Sequence, residues 1–202
     1  MTQAEHSAAQ RSGLIYTTIS SRLTAPEAAY ITRDCGAKTF ITSRAKRDVA
    51  AAMLADIDDL SGRFMVGASD EGYESWEEAT AAQSTLPLSD ECEGSDMLYS
   101  SGTTGRPKGV RIKFEPKPIG TPSALHGLVS GLYGADEDSI YLSPAPLYHA
   151  APLRFNMAML RIGSTCVVME EFDAVEALRL IEKYRVTHSQ WVPSMFVRML
   201  KL

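Results

Sequence analysis

Cysteine is scarce in this chain, with three in 202 residues. Cys35, Cys92 and Cys166 lie far apart and form no CxxC pair. An odd, scattered set of this kind excludes a disulfide framework and a structural zinc site, and each reads as a small buried hydrophobe. Positive charge is also lacking. Lys and Arg number 20 against 25 Asp and Glu, a formal net charge of -5, so no electrostatic footprint favours nucleic acid or an anionic membrane surface. No apolar run approaches the ~20 residues that span a bilayer. Residues 1–11 are polar and lack the apolar core of a signal peptide. Internal repeats and low-complexity tracts are absent too. The expectation is a soluble cytoplasmic protein without a transmembrane segment.

What is present is ordinary globular material: 45% hydrophobic and 22% charged residues, enough to bury a core in one large domain or two small ones. Thr24-Ala25-Pro26-Glu27 is a capping-box pattern with proline in the first turn. It opens a helix that should run to Cys35 and stop at Gly36. Residues 38–42 read as a strand, 44–60 as a helix and 63–66 as a strand. The polar stretch 67–94 reads as a surface excursion, with a helical turn or two over 74–83, dividing halves 11–86 and 95–202. Beyond it, 96–99 reads as a strand, 121–133 as a helix opened by Thr121-Pro122, and 139–142 as a strand. Then follow a helix over 152–162 ended by Gly163, a strand over 165–169, a helix capped by Asp173 reaching Tyr184, a strand over 187–192, and a last helix from Pro193. Helices alternate with strands, several of them continuously apolar. That pattern predicts α/β architecture with mainly parallel sheets flanked by helices.

The chemistry concentrates in Ser100-Ser101-Gly102-Thr103-Thr104-Gly105-Arg106-Pro107-Lys108-Gly109. Glycines let a backbone approach a ligand and turn its amides inward. Four hydroxyls can donate to phosphate oxygens, Arg106 and Lys108 add positive charge, and a concave row of amides is itself an anion site. No Gly-Lys-[Ser/Thr] follows at the spacing of a P-loop. By composition alone a flexible linker is the favoured reading; its place directly after an apolar strand, with Pro and Lys interleaved, speaks against that.

Residues 99–110, from Tyr99 to Val110, resemble the signature loop of the adenylate-forming superfamily, which includes acyl-CoA synthetases, luciferases and the adenylation domains of peptide synthetases. The resemblance implies that Ser101, Gly102, Thr103, Thr104 and Gly105 contact the β,γ-phosphates of ATP. Lys108 would be a supporting charge, and Ser100 a contact for ATP or Mg²⁺. Residues 11–16, 22–24 and 34–38 look like the family's segments upstream of the loop. Pro146-Leu147-Tyr148-His149 resembles its Pro-Leu-aromatic-His motif, which would set His149 beside the acyl carboxylate as the catalytic candidate. Residues 186–193 are similar to the strand and turn lining the acyl pocket, with Trp191 and Val192 as wall residues. The implied activity is that of a fatty-acyl or related carboxylate CoA ligase using ATP, Mg²⁺ and coenzyme A, with a fatty acid as the small-molecule partner.

Three departures from the family pattern stand out. Residues 111–118 replace a short Thr-His stretch. The Tyr-Gly-x-Thr-Glu motif with its metal-binding Glu does not occur, nor do the adenylation lysine and the ribose-binding Asp. The apolar end, residues 195–202, has no cap. The chain therefore reads as the middle of a longer N-terminal adenylation domain, inactive alone. The alternative is a truncated, non-catalytic module that binds nucleotide or a partner, or dimerises through an incomplete sheet edge. Remaining candidates read as structure: His188 in an apolar strand, Met157, Met159, Met195 and Met199 as packing, and residues 136–138 and 170–171 as solvated turns. Methionines also suit a pliable acyl tunnel. Asp90, Glu91 and Glu93 receive no role.

Overall fold

The computed structural model describes residues 3–100 and 106–202. They fall into two compact units, residues 1–120 and 121–202.

The first unit begins with α1 (Gln3–Arg11) and β1 (Ile15–Tyr16), a helix that the polarity of this region concealed. Next comes α2 (Ala25–Asp34), where the capping box works from the acid side. The Glu27 carboxylate accepts from both the amide and the hydroxyl of Thr24, at 2.8 and 2.7 Å. These bonds hold the Glu27 carboxyl below its usual range, the hydroxyl contributing most. β2 (Thr39–Ser43) leads into α3 (Arg47–Met53), and β3 (Gly62–Val66) follows. The single helix expected over 44–60 is α3 with a 3₁₀ turn at each end.

β4 (Glu74–Ser75) and α4 (Trp76–Ala81) come next, then β5 (Ser95–Asp96), β6 (Leu98–Ser100) and β7 (Lys108–Val110). Strands β2, β3 and β4 form one parallel sheet and β1 pairs with β5 in parallel, whereas β6 and β7 are antiparallel. The stretch 67–94 sits within this unit. Its start is tied in by β4, and its end by Glu93, which is 8% exposed and accepts from Gln10 Nε2 and the Gly120 amide. The core collects Ala28, Ala29, Ala50, Met53, Ile57, Met65 and Tyr73, so α2 and α3 cover one face of β3.

The second unit starts with α5 (Ala124–Gly127), capped by Ser123, whose hydroxyl accepts from the His126 amide at 3.1 Å. The start expected at Thr121 therefore moves to the residue that can take an orphan amide. The helix continues as a π-helical turn over Leu128–Leu132. β8 (Ile140–Ser143), α6 (Ala150–Ile162), β9 (Thr165–Val168), α7 (Ala174–Tyr184), β10 (His188–Ser189) and α8 (Pro193–Met199) complete it. The sheet is parallel in the order β10-β8-β9. α6 ends at Gly163 with φ 93°, a left-handed stop that glycine adopts freely. The Asp173 carboxylate caps α7 by accepting from the Glu176 amide at 2.8 Å.

β8 is buried on both faces because its side chains alternate. Tyr141 packs with Val129, Ala135, Ala158 and Met159. Leu142 packs with Met169, Ala177 and Leu180. β10 is shorter than the expected 187–192, because Trp191 leaves the strand to pack into the Leu142 cluster and Val192 caps α8.

Candidate functional site

In the first unit, β6 and β7 form a hairpin whose pairing ends at Ser100 opposite Lys108. The connection between them is the Gly/Thr-rich segment. Ser101, Gly102, Thr103, Thr104 and Gly105 lie outside the described residues. Ser100 and Lys108 are exposed, and the Ser100 hydroxyl faces the Lys108 carbonyl at 3.5 Å.

The hairpin base is braced from α2. The Tyr99 hydroxyl donates to the Asp34 carboxylate, and burial followed by this bond pushes the phenol well above its ordinary range. The Tyr30 hydroxyl donates to the Pro107 carbonyl at 3.4 Å, while the Arg106 guanidinium lies 5.5 Å from the Tyr30 ring centroid. Tyr99 stands opposite Gly109 in the ladder, and its ring crosses the space a side chain would take. A Cβ on Gly109 would meet the ring at 2.9 Å and the Met97 methyl at 2.6 Å. Glycine here lets the Tyr99 ring and the Met97 methyl lie across the strand without displacement.

Magnesium ordinarily takes one or two carboxylates together with phosphate oxygens. Among the described residues no group of three His, Cys, Asp or Glu side chains could hold a metal. Ser100 brings a hydroxyl alone, which suits a phosphate oxygen.

In the second unit, His149 caps α6, exposed, with its ring 4.3 Å from that of Tyr148. It stands after the carboxyl end of β8 and at a helix N-terminus, where open parallel sheets receive anionic ligands. The turn between is pinned by Asn156, fully buried, whose amide donates to the Ser143 hydroxyl at 2.6 Å and the Pro152 carbonyl at 2.8 Å.

α6 also reaches a cavity of about 550 Å³. Phe155 and Met159 of α6, Val129, Leu132 and Tyr133 of the preceding segment, and Tyr141 of β8 line it, and residues 187–190 close it. His188 lies in that wall. Its Nε2 is 3.0 Å from the Tyr133 carbonyl, which can only accept, so Nε2 carries a proton. Its Nδ1 is 2.8 Å from the Thr187 hydroxyl. Tyr141 is 2% exposed, and its hydroxyl has no hydrogen-bond partner among the described residues. Burial pushes this phenol well above its ordinary range.

Of the residues singled out from sequence, Ser100 and Lys108 come together at the hairpin mouth, and His149 heads the helix that runs to the cavity. Trp191 packs edge-on to Phe172, with ring centroids 6.2 Å apart, and Val192 is exposed. Neither lines the cavity. Tyr133, Tyr141, Phe155 and His188 were not singled out as pocket residues. The available signal was the alternation in β8, which sends Tyr141 to the same face as the 187–190 wall.

A family model described as AMP-binding enzyme matches residues 6–202. The chain is 31% identical over 201 residues to 4-coumarate--CoA ligase 5 of Oryza sativa subsp. japonica, covering 96% of this chain and 36% of that protein. It is 30% identical over 193 residues to the long-chain-fatty-acid--CoA ligase FadD13 of Mycobacterium tuberculosis, covering 92% and 36%. Among solved structures, the inhibitor-bound N-terminal domain of FACL13 from Mycobacterium tuberculosis shares the fold with a TM-score of 0.74 at 24% identity, over 94% of this chain and 46% of that one. ATP-bound MatB from Rhodopseudomonas palustris gives 0.68 at 23%, over 95% and 37%. The chain thus spans little more than a third of the curated relatives it matches.

Proposed function

The chain belongs to the AMP-binding enzyme family, and from that premise we propose that it serves an ATP-dependent acyl-CoA ligase acting on a largely apolar carboxylic acid, with fatty acids the class its cavity walls favour. A carboxylate oxygen bonds to the α-phosphorus of ATP and pyrophosphate departs. The thiol of coenzyme A then bonds to the carbonyl carbon and AMP departs. In this reading the hydroxyls of Ser101, Thr103 and Thr104 and the amides around Gly102 and Gly105 donate to phosphate oxygens, with Lys108 as a supporting charge and Ser100 at the loop's mouth. Such prearranged donors stabilise charge as it develops. Magnesium enters as the counter-ion that nucleotide phosphates carry.

His149 holds the acyl carboxylate at the head of α6, and the acyl group occupies the cavity further along that helix. Phe155 and Met159 lie about 9 and 15 Å down α6 from His149 at 1.5 Å per residue, a span suited to an acyl group of medium length.

The observation that carries the reading is the Ser100–Lys108 pair closing a Gly/Thr-rich connection on a hairpin braced from α2. Related ligases with names in both the 4-coumarate and long-chain-fatty-acid classes support the general activity. We place the reaction in the cytoplasm, where its three free cysteines would stay reduced. A homodimer is part of the same proposal. No described helix is long and apolar enough to cross a membrane.

Replacing Thr103 and Thr104 together by Ala tests the proposal, with ATP affinity read by titration calorimetry. Loss of two hydrogen bonds to a charged group, each about 1.5–3 kcal/mol, should weaken binding at least tenfold. Unchanged affinity would remove the loop from nucleotide binding. By itself the 202-residue span should bind nucleotide without turnover, because its sequence carries neither the adenylation lysine nor the metal-binding Glu motif. Acyl-dependent ATP–pyrophosphate exchange at an ordinary enzymatic rate would overturn that expectation.

A further inference from the structure

Among the described residues, strands β6 and β7 pair only with each other, over three residue pairs. A two-stranded hairpin is marginal in water by itself, so its order has to come from what it packs against. Met97 and Leu98 are buried and anchor the start of β6. The other end has no such anchor, since Ser100, Lys108 and Val110 are all exposed. Yet that end carries the Gly/Thr-rich connection.

What reaches it is one face of α2. Tyr30 and Asp34 stand at i and i+4, on the same side of the helix. Asp34 takes the Tyr99 hydroxyl of β6. Tyr30 meets the lead-in to β7, through the Pro107 carbonyl at 3.4 Å and the Arg106 guanidinium 5.5 Å from its ring centroid. The Tyr30 hydroxyl also lies 3.5 Å from the Asp34 carboxylate, which joins these contacts into one set. Both Tyr30 hydroxyl distances are long for such a bond, so the Tyr99–Asp34 bond carries most of the grip. Asp34 is poorly placed for the helix itself. It is the last residue of α2, where the macrodipole disfavours an anion. Its charge, bonded one residue short of Ser100, also opposes a polyphosphate. The contact with Tyr99 accounts for a carboxylate here where helix stability and phosphate attraction do not.

We propose that Asp34 is a positioning residue for nucleotide binding: through the Tyr99 hydroxyl it keeps the hairpin, and with it Ser100 and Lys108 at the mouth of the connection, in the arrangement that receives ATP phosphates. This rests on the connection being the nucleotide loop of the proposed ligase. Asp34 acts without touching nucleotide, by raising the fraction of molecules whose hairpin is formed. Apparent affinity falls in proportion to that fraction.

The test is ATP binding to the 202-residue protein by titration calorimetry, with Tm followed alongside. The proteins are wild type, Asp34→Ala, Asp34→Asn, Tyr99→Phe and the double variant of Asp34→Ala with Tyr99→Phe. Asp34→Ala and Tyr99→Phe should each weaken ATP binding about fivefold, the strength of one partly exposed bond to a carboxylate. The double variant should bind no more weakly than either single one, because both remove the same bond. Asp34→Asn keeps an acceptor for Tyr99 and should stay within about twofold of wild type. Tm of Asp34→Ala should stay within about 2 °C of wild type, the lost bond being offset by relief of the terminal charge. A merely structural role would lower Tm and leave the affinity of the folded protein unchanged. A merely electrostatic one would tighten ATP binding in both Asp34 variants. Equal or tighter binding by Asp34→Ala, losses that multiply in the double variant, or no recovery in Asp34→Asn would overturn the inference and leave the loop as the nucleotide site. If wild type binds no ATP, the loop reading is overturned and the inference with it.

Discussion

Asn156 offers the sharpest test of how this fold holds its candidate site. Its side chain has no exposure at all, and neither does Ser143, to which it donates. Replacing Asn156 by Ala removes that bond and the one to the Pro152 carbonyl at 2.8 Å, together worth about 2 kcal/mol net. It also leaves the Ser143 hydroxyl buried without its donor and opens a space where the amide stood, about another 1 kcal/mol. The expected loss is about 3 kcal/mol, a large part of the stability of a typical domain. In urea, with m of about 2 kcal/mol/M, the midpoint should drop by about 1.5 M. The contact itself is isolated by a double-mutant cycle with Ser143→Ala, which should give a coupling of about 1–2 kcal/mol. A midpoint shift below about 0.25 M, or strictly additive single mutants, would show that Asn156 does not pin the turn between β8 and α6.

Other perturbations follow from the same contacts. Gly109→Ala puts a methyl against the Tyr99 ring and should destabilise by about 1–3 kcal/mol; intrinsic Tyr fluorescence during thermal melting would register it, and an unchanged midpoint would contradict the crossing of ring and strand. His6 is 2% exposed, neither ring nitrogen has a partner among the described residues, and burial lowers its pKa from 6.5 to about 4. Because the folded state resists protonation, its contribution is complete above pH 6.5 and is lost as pH falls toward 4, by up to about 3 kcal/mol. His6→Phe should therefore flatten the dependence of Tm on pH across that window, and a slope equal to wild type would exclude His6 as its source. His149→Ala should leave Tm within about 1 °C, since the ring is exposed, while weakening binding of an acyl-sulfamoyl adenosine at least fivefold, the loss of about one hydrogen bond to a charged group. Equal affinity for that adenylate mimic would detach His149 from the acyl carboxylate.

Features set by residues within one turn of each other were legible in advance. Asp173 and Gly163 mark helix ends because a cap and a left-handed stop depend on local geometry alone. The parallel α/β class follows from apolar strands alternating with amphipathic helices, and the nucleotide loop stands out by its own composition. α1 was missed because its polar sequence gains order through long-range partners: Gln10 reaches Glu93 and Arg11 reaches Glu91. The same contacts give roles to two acids that the sequence left without one. The helix over 121–133 began late because Ser123, not Thr121, sits where its hydroxyl can accept an amide.

The residue types, the order of elements and the loop that identifies the family were thus carried by the sequence itself. The tertiary structure decided which side chains share a cavity. Tyr141, Phe155 and His188 are separated by up to 47 positions, and nothing local announces that they converge. Trp191, an apparent wall residue one position beyond Gln190, turns to the opposite face of β8 and joins the Leu142 core. Trp191 lies beyond the end of β10, where strand alternation no longer sets a side chain's direction, and only the packing against Leu142 fixes which way it turns.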